Sequence, residues 1–163
     1  MPETTRPGEL RLDLPDAFDT GLYFIGRCRT PWARAADCPK NSAEAKLPCR
    51  IELDARYAAG LRDLETASHL IVLCFLDRAR RDLLVQTPGH YRQPHGTFAL
   101  RSPMRPNPIS VSVVKLLKTD GPALEVIGLD CLDGTPVVDL KPYFASTDSV
   151  PEATVGWHDA EKR

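Results

Sequence analysis

Short runs of apolar residues organise this chain, and most of them are typical of β-strands. Residues 69–76 form a short, continuous apolar run, which predicts a strand buried on both faces. Residues 109–117 alternate two sets of side chains, so one face of that strand should pack inward. A T-D-G-P turn at 119–122 then reverses the chain into a hairpin. The predicted strands are 22–28, 49–53, 69–76, 109–117, 124–129 and 137–140.

One helix is predicted between the second and third of these strands. Residues 56–66 carry Leu61 and Leu64 at helical spacing, and Asp54 is placed to cap the helix N-terminus. The chain lacks the crossover helices that parallel strands require. The pattern therefore predicts a mainly β protein, a single-domain closed or nearly closed β-barrel with one helix and long loops.

Polar segments set the predicted domain boundaries. Residues 1–20 are polar and contain prolines, and we expect them to form an N-terminal extension that is partly disordered or adds an edge strand. Residues 21–145 form the predicted barrel domain, and residues 146–163 form a polar C-terminal tail. The polar connection 77–95 is the longest in the chain, and such loops are often functional, so we expect it to cover a substrate.

The composition fits one globular domain without a membrane segment. The chain has 163 residues, of which 42% are apolar and 26% charged. No run approaches the roughly 20 apolar residues that a membrane span needs. Residues 1–14 lack the apolar core of a signal peptide. We expect a cytoplasmic protein with no membrane partner.

The net charge of −1 argues against a protein that neutralises many phosphates over a broad face. Arginines are nevertheless concentrated between residues 78 and 105, where they could form one positive rim that contacts RNA. The alternative is a set of solvated surface arginines. The arginines concerned are Arg78, Arg80, Arg81, Arg92, Arg101 and Arg105.

The five cysteines are an odd number and contain no C-x-x-C pair, which favours reduced thiols over a disulfide framework or a compact zinc knuckle. His90 and His95 flank a loop and have no cysteine nearby in the sequence, so a structural or surface role is favoured over metal binding. The sequence therefore predicts no metal.

A proline-rich stretch at 96–108, G-T-F-A-L-R-S-P-M-R-P-N-P, is typical of a ligand-binding loop. Its prolines restrict the backbone on both sides of each ring, so the loop has few conformations to lose and could hold Arg101 and Arg105 in place. The alternative is a proline-rich turn between two strands that carries solvated arginines.

Four ordered motifs give the chain a family resemblance over roughly residues 22–145. They are I-G-x-x-x-T-P at 25–31, G-L-R-D-L-E-T-A-S-H-L at 60–70, G-T-F-A-L-R-S-P-x-R-P-N-P-I at 96–109 and L-D-x-L-D-G-T-P-V-V-D-L-K-P-Y at 129–143. These stretches resemble the TrmO family, also called TsaA-like or YaeB-like. Its members are S-adenosylmethionine-dependent methyltransferases of tRNA N6-threonylcarbamoyladenosine, built on a β-barrel.

The resemblance implies S-adenosylmethionine as cofactor and a set of residues that contact it. A sulfonium cofactor requires carboxylates or carbonyls near its positive charge and a donor for its carboxylate. Three positions depart from the family: Lys40-Asn41 where it has Arg-Gln, Asp77-Arg78 where it has His-Gln, and Ser110 where it has Gly. The implied contacts are Pro39, Lys40, Asn41, Asp77, Arg78, Arg101, Ser110, Val111, Leu129, Asp130, Cys131, Leu132 and Asp133.

Methyl transfer to an adenosine N6 also requires a group that accepts the N6 proton. Asp133 and Asp139 are the candidate catalytic carboxylates. The alternatives are that Asp133 caps the turn before Gly134 and that Asp139 forms a salt bridge with Lys141. His69 is favoured as a histidine that hydrogen bonds to the backbone rather than as a base.

The resemblance also implies tRNA as a partner, through its anticodon loop, and a homodimer. The chain lacks the additional C-terminal domain of some family members, so either a second subunit completes the site or the substrate is smaller. Exposed strands of an imperfect barrel would offer a route to the dimer. Two alternatives stay open: a non-catalytic or regulatory S-adenosylmethionine-binding module, and a methyltransferase paralogue with a different small acceptor.

Overall fold

The computed structural model of this chain describes residues 6–11 and 20–161. Two short α-helices, α1 (Ala145–Asp148) and α2 (Gly156–Glu161), follow the last strand. The strands of the described residues are β1 (Leu10–Arg11), β2 (Gly26–Arg29), β3 (Pro48–Leu53), β4 (His69–Phe75), β5 (Leu83–Gln86), β6 (His95–Gly96), β7 (Ile109–Asp120), β8 (Ala123–Ile127) and β9 (Pro136–Pro142). The fold is mainly β, as predicted.

The chain divides into two compact units. Described residues 20–78 and 109–143 form what we call the barrel unit. Described residues 6–11, 79–108 and 144–161 form what we call the second unit. Most of the predicted N-terminal extension lies outside the described residues, and the domain boundaries at 20 and 145 stay a prediction.

Six antiparallel strands close the barrel unit in the order β2-β3-β8-β7-β4-β9, and β9 pairs back onto β2. These six strands correspond to the six predicted from the apolar runs, with ends that differ by a few residues. The predicted closed barrel is therefore confirmed. Closure gives every strand two neighbours and leaves no unpaired edge.

Alternation along β4 and β7 places one face of each strand in the core. Leu70, Val72 and Cys74 of β4 are buried, whereas the residues between them are only half-buried, so the prediction of a strand buried on both faces was wrong. The closed barrel explains this difference because only its interior excludes water completely. On β7 the inward face begins at Ser112 and Val114, and the apolar residues at 109, 111 and 113 point outward with 38–45% exposure.

Gly26 allows β2 to approach β3 closely. A Cβ atom at this position would lie 2.3 Å from the carbonyl oxygen of Glu52 and 2.8 Å from Cα of Leu53. Gly26 and Arg27 are also the two residues of β2 that pair with both β3 and β9. The absence of a side chain therefore permits one of the contacts that close the barrel.

The predicted α-helix at 56–66 is instead two 3-10 segments, Ala55–Leu61 and Leu64–Thr66. Asp63 between them has a left-handed φ of 65°, which interrupts any continuous helix. Eleven residues are also too few for an isolated α-helix to be stable without strong packing. The predicted cap is present, since Asp54 Oδ1 accepts a hydrogen bond from the Arg56 backbone N–H at 3.2 Å.

The second unit contains a small three-stranded sheet in the order β1-β5-β6. The sequence pattern did not predict β5, which lies in the polar connection 77–95, or α2, which lies in the predicted polar tail. Trp157 of α2 stacks on His95 with ring centroids 3.9 Å apart, and it meets Tyr91 edge-on at 5.0 Å. These contacts connect residues far apart in the sequence, which explains why local patterning does not reveal them. No helix among the described residues has the length and apolar character to cross a bilayer.

Candidate ligand site of the barrel

The segment 129–135, which follows β8, is tied to the residues after β2 by a set of hydrogen bonds. The Asp133 backbone N–H donates to the Trp32 carbonyl at 2.9 Å, and Asp133 Oδ1 accepts from the Thr30 N–H at 3.1 Å. The Thr30 hydroxyl donates to the Cys131 carbonyl at 2.9 Å. These bonds hold the implied cofactor segment in one conformation, with Gly134 at φ +78° completing its turn.

Asp130 connects this segment to the barrel strand β7. The Ser112 hydroxyl, which is buried, donates to Asp130 Oδ1 at 2.7 Å. Burial is the main cause that raises the pKa of the Cys38 thiol, and a hydrogen bond with Cys131 is the main cause that raises the pKa of the Cys74 thiol. The negative charge of Asp130 adds to both increases. A half-buried carboxylate therefore lies among groups of the barrel interior, where it can attract a cation.

Ser110 lies two residues before Ser112 on the same face of β7, and its hydroxyl makes no hydrogen bond. Its hydroxyl oxygen is buried and has no partner, one of two such side-chain atoms among the described residues. A buried hydroxyl without a partner costs roughly 1–3 kcal/mol, so a group that forms a hydrogen bond with Ser110 would remove that cost. Ser110 also pairs across the ladder with Cys74. Together, Ser110, Ser112 and Asp130 form a polar end to an otherwise apolar barrel face.

Two arginines approach the turn at Asp133 and Gly134. Arg27 donates to the Gly134 carbonyl at 2.8 Å, and the exposed Arg78 lies 3.4 Å from the Asp133 carbonyl. Asp77, the neighbour of Arg78, is also exposed, and its backbone N–H closes a tight turn to the Phe75 carbonyl at 2.9 Å. The structure thus brings the implied contacts at the end of β4 close to those around Asp133.

The implied contacts that lie in loops between strands include Pro39, Lys40, Asn41 and Arg101. Pro39 is half-buried and Lys40 is exposed. Asn41 uses its amide in a local turn, donating to Glu44 Oε1 at 2.8 Å and accepting from the Glu44 N–H at 3.1 Å. Arg101 is exposed and belongs to the second unit. Its role as a cofactor anchor stays a prediction.

The remaining implied contacts differ in whether their side chains face solvent or the barrel core. Val111 points outward from β7 with 45% exposure. Leu129 is fully buried in the core, and Leu132 is half-buried and accepts a hydrogen bond from the Thr135 hydroxyl at 2.7 Å. The side chain of Cys131 points into the barrel, where its sulfur meets those of Cys28 and Cys74. These positions shape the site through packing and backbone groups.

Both candidate catalytic carboxylates have intramolecular partners, and only for Asp139 is the partner the one that the alternative anticipated. Asp139 forms an ion pair with Lys141 at 2.7 Å and also accepts a hydrogen bond from the Leu140 N–H. Asp139 pairs in register with Leu73, a half-buried residue of β4. Asp133 lies within the same segment as Asp130, and its bond to Thr30 engages one carboxylate oxygen. Catalysis by either residue stays a prediction.

Three arginines of the proposed positive rim make contacts inside the second unit that the sequence did not reveal. Arg80 pairs with Asp82 at 2.8 Å, and its side chain is only 14% exposed. Arg81 donates to the Pro106 carbonyl at 2.6 Å. Arg105 donates to the carbonyls of Ser102, Thr97 and Leu100 and so braces the proline-rich loop. These three guanidinium groups have structural roles, which weakens the hypothesis of an RNA-facing rim.

Comparison with known proteins agrees with this architecture. The family described as the tRNA-methyltransferase O N-terminal domain matches residues 27–149. The chain belongs to the TrmO N-terminal domain family. It is 49% identical, over 138 residues, to an Archaeoglobus fulgidus protein named as a probable S-adenosyl-L-methionine-binding protein, a match that covers 85% of this chain and 38% of the relative.

Two further TrmO relatives extend the comparison. The chain is 35% identical over 146 residues to the Escherichia coli tRNA (adenine(37)-N6)-methyltransferase, with 82% of this chain and 61% of the relative covered. The crystal structure of TrmO from Pseudomonas aeruginosa superimposes with a TM-score of 0.73 at 31% identity, covering 88% of this chain and 65% of that one. The chain therefore spans less than two thirds of the length of each of these three relatives.

Proposed function

We propose that this TrmO-family barrel binds S-adenosylmethionine and methylates the N6 nitrogen of an adenosine next to the tRNA anticodon. The observation that carries the proposal is the polar end of the barrel, where the partnerless Ser110 hydroxyl lies on the same face as the Ser112–Asp130 pair. The names of the relatives support the same cofactor and substrate.

The residues present fit this cofactor chemically. Asp130 offers a carboxylate that can stabilise a nearby positive charge, and Ser110 offers a hydroxyl that is free to donate to or accept from a ligand. Arg78 and Arg101 are the candidate donors for a ligand carboxylate. When bound, S-adenosylmethionine would supply an activated methyl group.

The protein must also accept the proton that leaves the adenosine amine. We propose Asp133 as the first residue to test, because it shares a hydrogen-bonded segment with Asp130, whereas Asp139 is paired with Lys141. The bond from the Thr30 N–H to one oxygen would hold the Asp133 carboxylate in a fixed orientation toward the proton that it receives.

Calorimetric titration with S-adenosylmethionine tests the cofactor site. Asp130→Asn and Ser110→Ala should each weaken binding by about tenfold or more, because one removes a charge and the other a hydrogen-bonding group. Asp139→Asn is the matched control and should bind like the wild type. Affinities unchanged by both site variants would remove this end of the barrel from the cofactor site.

Transfer of a labelled methyl group to tRNA tests the reaction. Asp133→Asn should lower kcat by about 10²–10⁴-fold if Asp133 is the proton acceptor. A similar loss of cofactor affinity would instead indicate a structural role for the Thr30 bond. Cofactor binding without methyl transfer to any tRNA would favour a binding module or another acceptor.

The homodimer and the cytoplasmic location also stay proposals. The barrel is closed, so its described strands offer no exposed edge through which two subunits could pair. The outward apolar row of β7 at 109, 111 and 113 is the better candidate surface for a second subunit. Sedimentation of the wild type and Val111→Lys would test this: a dimer that the lysine does not disrupt would exclude that row.

A further inference from the structure

Three cysteines from distant parts of the sequence meet inside the barrel. Cys28 lies on β2, Cys74 lies on β4, and Cys131 lies in the segment after β8. Their sulfur atoms all lie within 4.8 Å of one another, and those of Cys28 and Cys74 are 3.5 Å apart. We propose that this cluster, the cysteine triad, is a three-thiolate binding site for a soft, thiophilic metal ion of the Cu(I) type.

The spacing of the sulfur atoms fits a single metal ion. Metal–thiolate bonds are about 2.3 Å long, so three sulfurs in a plane around one ion would be about 4.0 Å apart. The observed separations, 3.5 Å for one pair and at most 4.8 Å for the others, are compatible with that value. Small side-chain rotations would therefore bring all three sulfurs to bonding distance without moving the strands.

The donor set selects soft ions. Within the described residues, neither a histidine nor a carboxylate joins the triad, so sulfur alone would bind the ion. Thiolates favour Cu(I), zinc and related ions over hard cations such as magnesium and calcium. Structural zinc usually takes four protein ligands, and the triad offers three, which favours a three-coordinate Cu(I) ion.

The environment of the triad resembles that of known buried metal sites. The three side chains are 0%, 1% and 6% exposed, so water would have little access to compete for the ion. Cys131 contacts solvent slightly and belongs to the segment 129–135, which offers a path of entry. Binding would form three metal–sulfur bonds and release the protons of those thiols that are not already ionised.

Ordinary packing is the competing explanation, because free cysteines often fill cores as small apolar side chains. Cys49 provides the matched control within the same barrel. It is also buried, at 4% exposure, but it stands outside the triad and lies 3.6 Å from the Leu47 carbonyl. If the three cysteines of the triad only fill space in the core, metal affinity should not depend on Cys74. Replacing Cys49 or Cys74 should then leave metal binding unchanged.

The test is an anaerobic titration of the reduced full chain with Cd(II), followed by its thiolate charge-transfer absorption, and with Cu(I) supplied from a competing chelator. The wild type and Cys49→Ala should bind one ion per chain and gain thermal stability. Cys74→Ala and Cys131→Ser should lose affinity by at least about 100-fold, since each lacks one of three ligands. Excess Mg(II) should not compete.

A second measurement on the wild type does not depend on how the variants fold. X-ray absorption of the Cu(I)-loaded chain should show three sulfur neighbours at about 2.3 Å and no nitrogen or oxygen neighbour. Absence of binding at one equivalent, equal affinities of Cys49→Ala and Cys74→Ala, or a coordination shell that contains nitrogen or oxygen would each overturn the proposal.

Discussion

The two units of this chain are stabilised in different ways. In the barrel unit, six paired strands enclose a continuous apolar core that includes Leu70, Val114 and Val126. In the second unit, strands of two to four residues form a small sheet, and buried side-chain hydrogen bonds connect its segments. Gln86, for example, is fully buried and donates to the Thr97 hydroxyl at 2.8 Å.

This difference shows that one sequence can stabilise one unit mainly by apolar burial and another by directional hydrogen bonds. Apolar burial is non-directional and tolerates small shifts, so the strands of a barrel can be recognised from alternation and apolar runs. Hydrogen bonds from Arg105 and Gln86 are directional and require particular carbonyl positions, which the prolines of the loop help to fix. We therefore expect mutations in the two units to differ in both size and character.

The largest effect is expected from Leu70→Ala in β4. Leu70 is fully buried in the barrel core, so its truncation should lower the free energy of unfolding by about 2–5 kcal/mol. Urea denaturation followed by circular dichroism measures this. Leu73→Ala, on the half-buried outer face of the same strand, is the control and should cost clearly less. Equal losses would contradict the account of a one-sided core.

Gly26→Ala tests the close approach of β2 and β3. The added methyl would meet the Glu52 carbonyl at 2.3 Å, so the backbone must shift at a cost of about 1–3 kcal/mol. The matched change Gly60→Ala meets no atom within 4 Å and should be close to neutral. Thermal unfolding of the two variants compares them directly. A stable Gly26→Ala protein would show that the barrel accommodates a wider spacing there.

Arg105→Lys tests the directional bonds of the second unit. Lysine keeps the charge but loses the planar fork that reaches the Ser102, Thr97 and Leu100 carbonyls, so we expect a loss of about 1–2 kcal/mol. Hydrogen exchange should speed up in residues 97–105 and change little in β4. The exposed residue Arg62 offers the control Arg62→Lys, which should change neither. Uniform loss of protection across both units would contradict their separate stabilisation.

Acid titration should give the smallest effect. The Arg80 guanidinium beside Asp82, helped by Arg11, holds the pKa of that carboxyl well below its usual range. Because the folded pKa is depressed, this contribution is fully present above the unfolded pKa of about 3.9 and is lost progressively as the pH falls from there through the lower folded pKa. The pair is partly exposed, so it contributes less than about 1 kcal/mol.

Comparison of Asp82→Asn with the wild type between pH 7 and pH 3 measures this contribution. The two unfolding curves should differ at pH 7 and converge as the pH falls. A difference that persists at low pH would mean that Asp82 acts through packing rather than through its charge.

The sequence by itself determined the six barrel strands, the β7–β8 hairpin and the family. Strand alternation, apolar runs and turn residues act over a few neighbouring positions, so they can be recognised without the fold. The cap at Asp54 was predictable for the same reason. Of the implied cofactor contacts, Arg78 lies close to Asp133 in the barrel unit, and their role in binding a cofactor stays a prediction.

Only the tertiary structure decided which side of each strand faces the core. Both faces of β7 carry apolar residues, so alternation defines two faces without saying which one packs inward, and closure of the barrel selects the face of Ser112 and Val114. The same closure joins β2 to β9 and β9 to β4, which brings together Cys28 and Cys74 across 46 residues of sequence. Local patterns carry no information on such distances, because the contacts exist only once the strands have paired.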